Sequence, residues 1–337
     1  MKVFKFGGAS VKDARGIKNV ATILQSYPET KLIVVISAMG KTTNALERTL
    51  SLYNSHQNYQ AELDDLRLYH DKIIKELFPA SHPLWNDVKG IFQDLEDEMK
   101  KQGDADLIYD QVVSFGEVLS TVIVHQYLKE MNINATWIDA RDYIATDSTF
   151  REGRVDWKKT SAQVRELAVV LEKKNVVITQ GFIGRSPGGL TTTLGRDGSD
   201  FSAAIFASTL GADSVTIWKD VPGVMNADPK RLPAATVFEE LPFREAAEMT
   251  YYGASVIHPK TIKPLANKSI PLFVKNFDDP SLPGTKIHEC HVDHLPPLIV
   301  FKDNQCLISC KVTDYTFVSE DQMSHIFNTL SELNVRI

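Results

Sequence analysis

Lys5, Gly7, Gly8 and Ser10 stand close together in the opening KVFKFGGAS, and their types suit capture of an oxygen-rich anion. Glycines carry no Cβ, so backbone N–H groups can approach a phosphate closely, and a lysine adds a full positive charge. The spacing of Ile17, Val20, Ala21 and Leu24 predicts a helix over Asp13–Gln25. A helix N-terminus would add partial positive charge. Strand, glycine pair, lysine and helix start together read as a phosphate cradle. The spacing is neither the P-loop pattern nor the dinucleotide fingerprint. An ordinary strand-to-helix turn beside a snorkelling lysine is therefore the other reading.

Such a turn needs a sheet to hold it. Lys31–Ser37, Asn175–Gln180, Ser214–Lys219 and Pro271–Lys275 are short and apolar on both faces, which is how buried parallel strands read. Helical patterns such as Trp157–Lys173 and Phe201–Leu210 lie between them. The expected fold class is α/β, a mostly parallel open sheet with helices on both faces. Residues 46–101 are charged, helical in pattern and poor in strand signal, so they read as a helical insertion. Pro296-Pro297 marks the expected boundary between a domain over 1–294 and an incomplete α+β segment over 298–337. In the latter, Cys306–Val312 reads as a strand and Glu320–Leu333 as a helix. Ligands of a parallel sheet sit beyond the carboxyl ends of its strands. The loops there are Gly7–Ser10, Ala38–Asn44, Gly181–Arg185 and Asp220–Pro229, all carrying glycine, hydroxyl or amide groups.

The chain has 337 residues, 43% hydrophobic and 24% charged, enough for two globular units with a large core. A net charge of −6 argues against nucleic acid as a partner, because backbone neutralisation needs a basic surface. The N-terminus lacks the apolar core of a signal peptide, and Leu32–Ile36 is far too short to span a membrane. The expected place is the cytoplasm, with no membrane partner. The three cysteines, Cys290, Cys306 and Cys310, suit reduced thiols. The stretch His288–His294 (HECHVDH) has metal-ligand residue types but no second ligand group at a recognised spacing. A solvated connector, without metal, is expected there.

In chain order, KFGGAS, SAMGKTTN, SFGE, TQGFIG, TTTLGRDGSD, WKDVPGVMNADPK and YYGASVIHP resemble the aspartokinase family of the amino acid kinase superfamily. The likeness covers roughly the first 280 residues, and an ordered set of motifs is far more specific than any one of them. It implies the amino acid kinase fold, ATP with Mg²⁺, and L-aspartate as acceptor. The implied product is 4-phospho-L-aspartate, on the route to lysine, threonine and methionine, and a homo-oligomer (a dimer) is expected. The resemblance implies catalytic roles for Lys5 and Asp200. Gly7, Gly8, Ser10, Lys219, Asp220, Met225, Lys230 and Ser255 would surround the nucleotide. Ser37, Thr43, Glu117, Phe182, Arg196, Gly198 and Ser199 would surround aspartate.

Chemistry fits that implication. A carboxylate acceptor with a pKa of about 3.9 is already ionised, so no general base is needed. The demand is for cations and N–H donors in line with the transferring group. Several residues keep a plainer reading. Asp200 could cap the helix that follows. Ser114 and Glu117 satisfy a capping box before an apolar helix. Arg196 could be a surface arginine beside the Asp197-Gly198 turn, Thr43 a loop hydroxyl and Phe182 plain core. Three positions depart from the family pattern: Ser255 where many relatives carry lysine, Asp197 where glycine is usual, and Met225 where an aromatic is common. Either Lys230 or Lys260 supplies the charge that Ser255 lacks, or ATP binds more weakly than in those relatives. The alternative functions are another carboxylate kinase of the superfamily and a catalytically silent amino-acid sensor.

After the linker, Met323, Ile326, Phe327 and Leu330 share one helix face and Asn334–Ile337 reads as a second strand. This resembles the opening of an ACT domain, the module by which aspartokinases sense end-product amino acids. Half a module forms no effector pocket, so little inhibition of this chain by lysine or threonine is expected.

Overall fold

The computed structural model describes residues 1–252, 257–301, 303, 306, 308–311, 317–333 and 335. It divides into two compact units, Met1–Phe301 and 302–337. In the first, β1 (Lys2–Phe6) leads to α1 (Ala14–Gln25) and β2 (Leu32–Ile36). A run of helices follows: α2 (Thr42–Asn54), α3 (Gln60–Leu77), α4 (Leu84–Met99), α5 (Ala105–Val113) and α6 (Phe115–Glu130). Next come β3 (Ala135–Trp137), α7 (Trp157–Arg165), α8 (Leu167–Lys173) and β4 (Val176–Gln180). The short strands β5 (Ile183–Arg185) and β6 (Thr191–Thr193) pair antiparallel as a separate hairpin. The unit closes with α9 (Gly198–Leu210), β7 (Ser214–Lys219), β8 (Glu240–Pro242), α10 (Phe243–Tyr251), α11 (Pro259–Ala266), β9 (Leu272–Asn276) and β10 (Thr285–His288).

The main sheet has the order β3-β4-β2-β1-β7-β9-β10-β8. It is parallel from β3 to β9, and only the β9–β10 pairing is antiparallel. Phe4, Phe6, Val34, Ile36, Ile178 and Trp218 join a core with apolar residues of α1 to α6. Val3, Ile33, Val35, Val177, Val215 and Ile217 pack on the opposite face with residues of α7 to α11. Both faces are dry, which is why these strands read as unbroken apolar runs. The mostly parallel sheet with helices on both faces is what the sequence pattern predicts.

Alternation along β1 matters for the site. Side chains two apart share a face, so Lys5 follows Val3 onto the face covered by α9. Its Cα neighbours across the sheet are Val35 and Ile217. A lysine has been set into an apolar row.

The second unit departs from expectation. Cys306 and 308–311 are not in a strand, and Leu307 and Val312 lie outside the described residues. Of Asn334–Ile337 only Val335 is described, again not in a strand. Among the described residues of 302–337 there is no strand for these to pair with, and two strands alone are marginal in water. α12 (Glu320–Glu332) does form, started by a capping box between Ser319 and Gln322. Its apolar Met323 and Phe327 are half-exposed within the unit.

Candidate active site

A cleft of about 600 Å³ opens where the carboxyl ends of β1, β2 and β4 meet the start of α9. At its floor Lys5 Nζ lies 2.7 Å from Asp200 Oδ1, with both side chains buried. Charge this deep is tolerated only when paired. Lys219, at the end of neighbouring β7, crowds the same pair. Burial holds its ammonium below the usual lysine range, Asp200 pulling it up and Lys5 pushing it further down. Asp200 thus answers two cations. It occupies the first turn of α9, where a carboxylate also complements the helix dipole. It is not the cap of that helix.

The glycine loop is positioned differently from expectation. Gly8 lines the cleft, and a Cβ on it would stand 2.6 Å from the Ala38 carbonyl oxygen and 2.9 Å from that of Gly40. Only glycine lets these two loops lie together, tied by Gly40 N–H donating to the Gly8 carbonyl (2.9 Å). Gly7 sits so that a Cβ would reach to 3.4 Å from Lys5 Nζ. The helix following this loop, however, does not point its N-terminus at Lys5's cleft. The Asp13 carboxylate caps α1 by accepting from Gly16 N–H (2.8 Å). Its first turn lines a second cleft of about 380 Å³ with Ser10, Asp220 and Phe277. The helix N-terminus at Lys5 belongs to α9, some two hundred residues along the chain.

Glu117 projects from the first turn of α6 into the cleft and is buried. Its Oε1 accepts a long bond from Ala38 N–H (3.4 Å), while Oε2 is buried without a partner. Burial drives its carboxyl up to about 8, against the pull of the Ala38 amide and Lys5. The capping box suggested by Ser114 and Glu117 does not form. Ser114 is itself helical, and its hydroxyl donates back to the Gln111 carbonyl (2.7 Å). Glu117 is left facing the cleft with acceptor capacity to spare.

Arg196, Gly198, Ser199, Ser37, Thr43 and Phe182 line the same cleft. The Arg196 side chain is 76% exposed and 3.7 Å from Asp197, so its fork is open to a planar anion. Phe182 holds a left-handed backbone (φ 71°), a strained state for a bulky residue. Ser202 Oγ accepts from its N–H (2.9 Å), and its carbonyl accepts from Leu194 N–H (2.8 Å). Those two bonds fix the aromatic ring over the start of α9.

Another wall of the cleft contains residues that sequence reasoning missed: Glu47, Tyr109, Arg151 and Glu152. Arg151 lies 3.8 Å over the Tyr109 ring, and Tyr109 donates to Glu47. Arg151 is also left-handed (φ 65°). The buried Asp110 holds it there, accepting from Arg151 N–H (2.9 Å) and from Thr193 N–H and Oγ1 (2.8 Å each). The only signal in the sequence is the turn composition of Asp147–Gly153.

The residues assigned to the nucleotide are more scattered. Lys5 and Lys219 gather at Asp200 and Gly8 lines that cleft, while Ser10 and Asp220 line the second. The Ser10 hydroxyl donates to the Trp218 carbonyl (3.4 Å), securing the loop to β7. Met225 and Lys230 sit on the β7–β8 connection and line neither cleft; Met225 bridges to Val237 there. Ser255 lies outside the described residues. Lys260 lines neither of these clefts and belongs to a third, between α7, α9 and α11.

Asp197, where glycine would be conformationally free, starts α9 in the left-handed region (φ 55°) with no side-chain cap bond. A Cβ there costs roughly 1 kcal/mol, eased for aspartate by its short polar side chain. Asp197→Gly should therefore be about as stable as the parent, and Asp197→Ala about 1 kcal/mol less stable than Asp197→Gly. Urea melts of the three proteins measure this. Equal stability of the alanine and glycine variants would mean the turn relaxes.

Residues 1–276 match the model of the amino acid kinase family. The chain is 33% identical over 345 residues to the lysine-sensitive aspartokinase 3 of Escherichia coli (strain K12), covering 99% of this chain and 74% of that protein. It is 36% identical to the chloroplastic aspartokinase 1 of Arabidopsis thaliana, over 85% of this chain and 51% of that protein. It thus spans about half the length of the plant relative. The structure of E. coli aspartokinase III in complex with aspartate and ADP superposes with a TM-score of 0.84 at 30% identity, covering 100% of this chain and 75% of that one.

Proposed function

Because the chain belongs to the amino acid kinase family and, within it, to the aspartokinases, we propose that it phosphorylates the side-chain carboxylate of L-aspartate with ATP. The observation that carries this reading is the single cleft that joins the Lys5–Asp200 pair to Arg196 and Glu117. One end offers cations to a phosphoryl group. The other offers a guanidinium to an α-carboxylate and a carboxylate to an α-ammonium. A side-chain carboxylate oxygen then forms a bond to the γ-phosphorus as the bond to the bridging oxygen breaks. The electron pair leaves with ADP, and 4-phospho-L-aspartate remains. No proton moves in that step.

Lys5 lies across the transferring group and offsets charge on its oxygens, and Asp200 holds Lys5 in line. Lys219 adds a second cation to the same point. The donor set at this end of the cleft, one buried carboxylate on Asp200, suits Mg²⁺ carried by the nucleotide. Asp200 would hold such an ion beside the substrate phosphates. When bound, it neutralises phosphate charge.

Glu117 favours aspartate over an N-acylated amino acid, whose neutral amide brings no positive charge to pair with the ionised form of this buried carboxyl. Trapping the acyl phosphate with hydroxylamine, with ATP, Mg²⁺ and a panel of amino acids, tests the reading. Aspartate-dependent hydroxamate is expected. Product only from another acid would make it a different carboxylate kinase, and none from any would make it a sensor. In the same assay Arg196→Lys keeps the charge but loses the fork. The KM for aspartate should rise at least about tenfold with that for ATP little changed. A change confined to ATP would move Arg196 to the nucleotide side.

The same reading extends to a cytoplasmic homo-oligomer serving lysine, threonine and methionine synthesis. Residues 298–337 would open an ACT-like module, whose half-exposed Met323 and Phe327 on α12 offer a face to a partner.

A further inference from the structure

A third cleft of about 480 Å³ lies between α7, α9 and α11, and nothing in the phosphoryl transfer uses it. Four cationic side chains line it: Arg165, Lys260, Lys263 and Lys268, with no carboxylate among the lining residues. None of the four makes an ion pair among the described residues. Lys263, in the last turn of α11, also complements that helix's dipole. Lys260 does the opposite. It sits in the first turn of α11, at the positive end of the dipole, where a cation is unfavourable unless an anion answers it.

The other wall is aromatic. Trp157 and Phe201 meet edge to face at 6.2 Å, and the Trp157 surface is 42% exposed. Thr209, also in the lining, has its Oγ1 buried without a hydrogen-bond partner. Stacking surface beside clustered positive charge suits one chemical class.

We propose that this cleft binds a small anion bearing a planar ring, of the nucleoside monophosphate kind, with the ring against Trp157 and Phe201 and the anionic group among the four cations. The site is separate from the phosphoryl-transfer cleft. It is not separate from its machinery, because Phe201 directly follows Asp200 on α9. Occupancy is therefore placed to be felt at the Lys5 pair.

Adenosine monophosphate, titrated into the full chain and followed by tryptophan fluorescence, tests this. A saturable change is expected that is absent in Trp157→Phe and retained in Lys5→Ala. The doubly substituted Arg165→Glu, Lys263→Glu protein should bind at least about tenfold more weakly, as should adenosine to the parent protein. Both substituted positions are exposed, so the fold should tolerate them. No saturable change up to about 10 mM would overturn the proposal, since that is weaker than any useful site. So would a signal that survives Trp157→Phe, binding indifferent to the two charge reversals, or adenosine binding as well as its monophosphate.

Discussion

Lys5→Ala and Asp200→Asn should each lower the rate of acyl-phosphate formation by about 10²–10³, the usual loss when one preorganised electrostatic group is removed. The two side chains act as a unit, 2.7 Å apart and buried. Groups that act together are strongly non-additive, so the double variant should be scarcely slower than either single one. Lys5→Met, which keeps the apolar stem in its row on β1, should match Lys5→Ala in rate while holding stability closer to the parent. Rates come from hydroxamate trapping at saturating ATP and aspartate, and folding from circular dichroism. Near-normal turnover in a folded Lys5 or Asp200 variant would remove this pair from the mechanism. Additive losses would mean that the two residues serve different steps.

Glu117 sets the pH behaviour of aspartate binding. In the empty cleft burial raises its carboxyl to about 8, so at neutral pH it is mostly protonated. Pairing with the substrate ammonium requires the anion, and binding must expel the proton. The KM for aspartate should therefore fall as pH rises, by up to about tenfold per unit below pH 8, and level off above it. The kcat should vary much less, since bound substrate keeps Glu117 ionised. Stability has the opposite slope. The unfolded chain ionises this group near pH 4.3 and the folded chain only near 8, so between those values the folded state holds the extra proton. Its stability from this group is full below about pH 4.3 and is lost progressively up to about pH 8. Glu117→Gln should abolish both slopes, raise the KM for aspartate at pH 8 and melt higher there than the parent. A KM independent of pH between 6 and 8 in the parent would show that Glu117 does not meet the ammonium.

The parallel strands were legible because burial on both faces writes continuous apolar runs such as Leu32–Ile36. Lys5 was legible because it stands two residues before the glycine pair, although its partner Asp200 lies far along the chain. Misreadings arose where a nearby side chain took a role the pattern had left open. Asp13 capped α1 and closed the expected anion site there. Ser114 stayed helical between α5 and α6, so a sound capping box had no end to cap. Arg151 was hidden for another reason. Its place depends on a left-handed turn fastened by Asp110, a carboxylate forty-one residues earlier that also holds Thr193. No window of sequence contains all three.

The register of β1 has a consequence for synthesis of the chain. Lys2 pairs with Leu32 on one side and with Ser214 on the other. Its first neighbour is translated almost at once, but the second emerges only 212 residues later, after roughly 10–40 s at ordinary elongation rates. Throughout that interval the strand bearing Lys5 has one open, apolar edge, a template for pairing with any other nascent strand. Asp200 and Lys219 are made at the end of the same wait. A ribosome that stalls or terminates before β7 thus releases an inactive fragment with an adhesive edge, and the yield of active protein depends on how well that edge is shielded during translation.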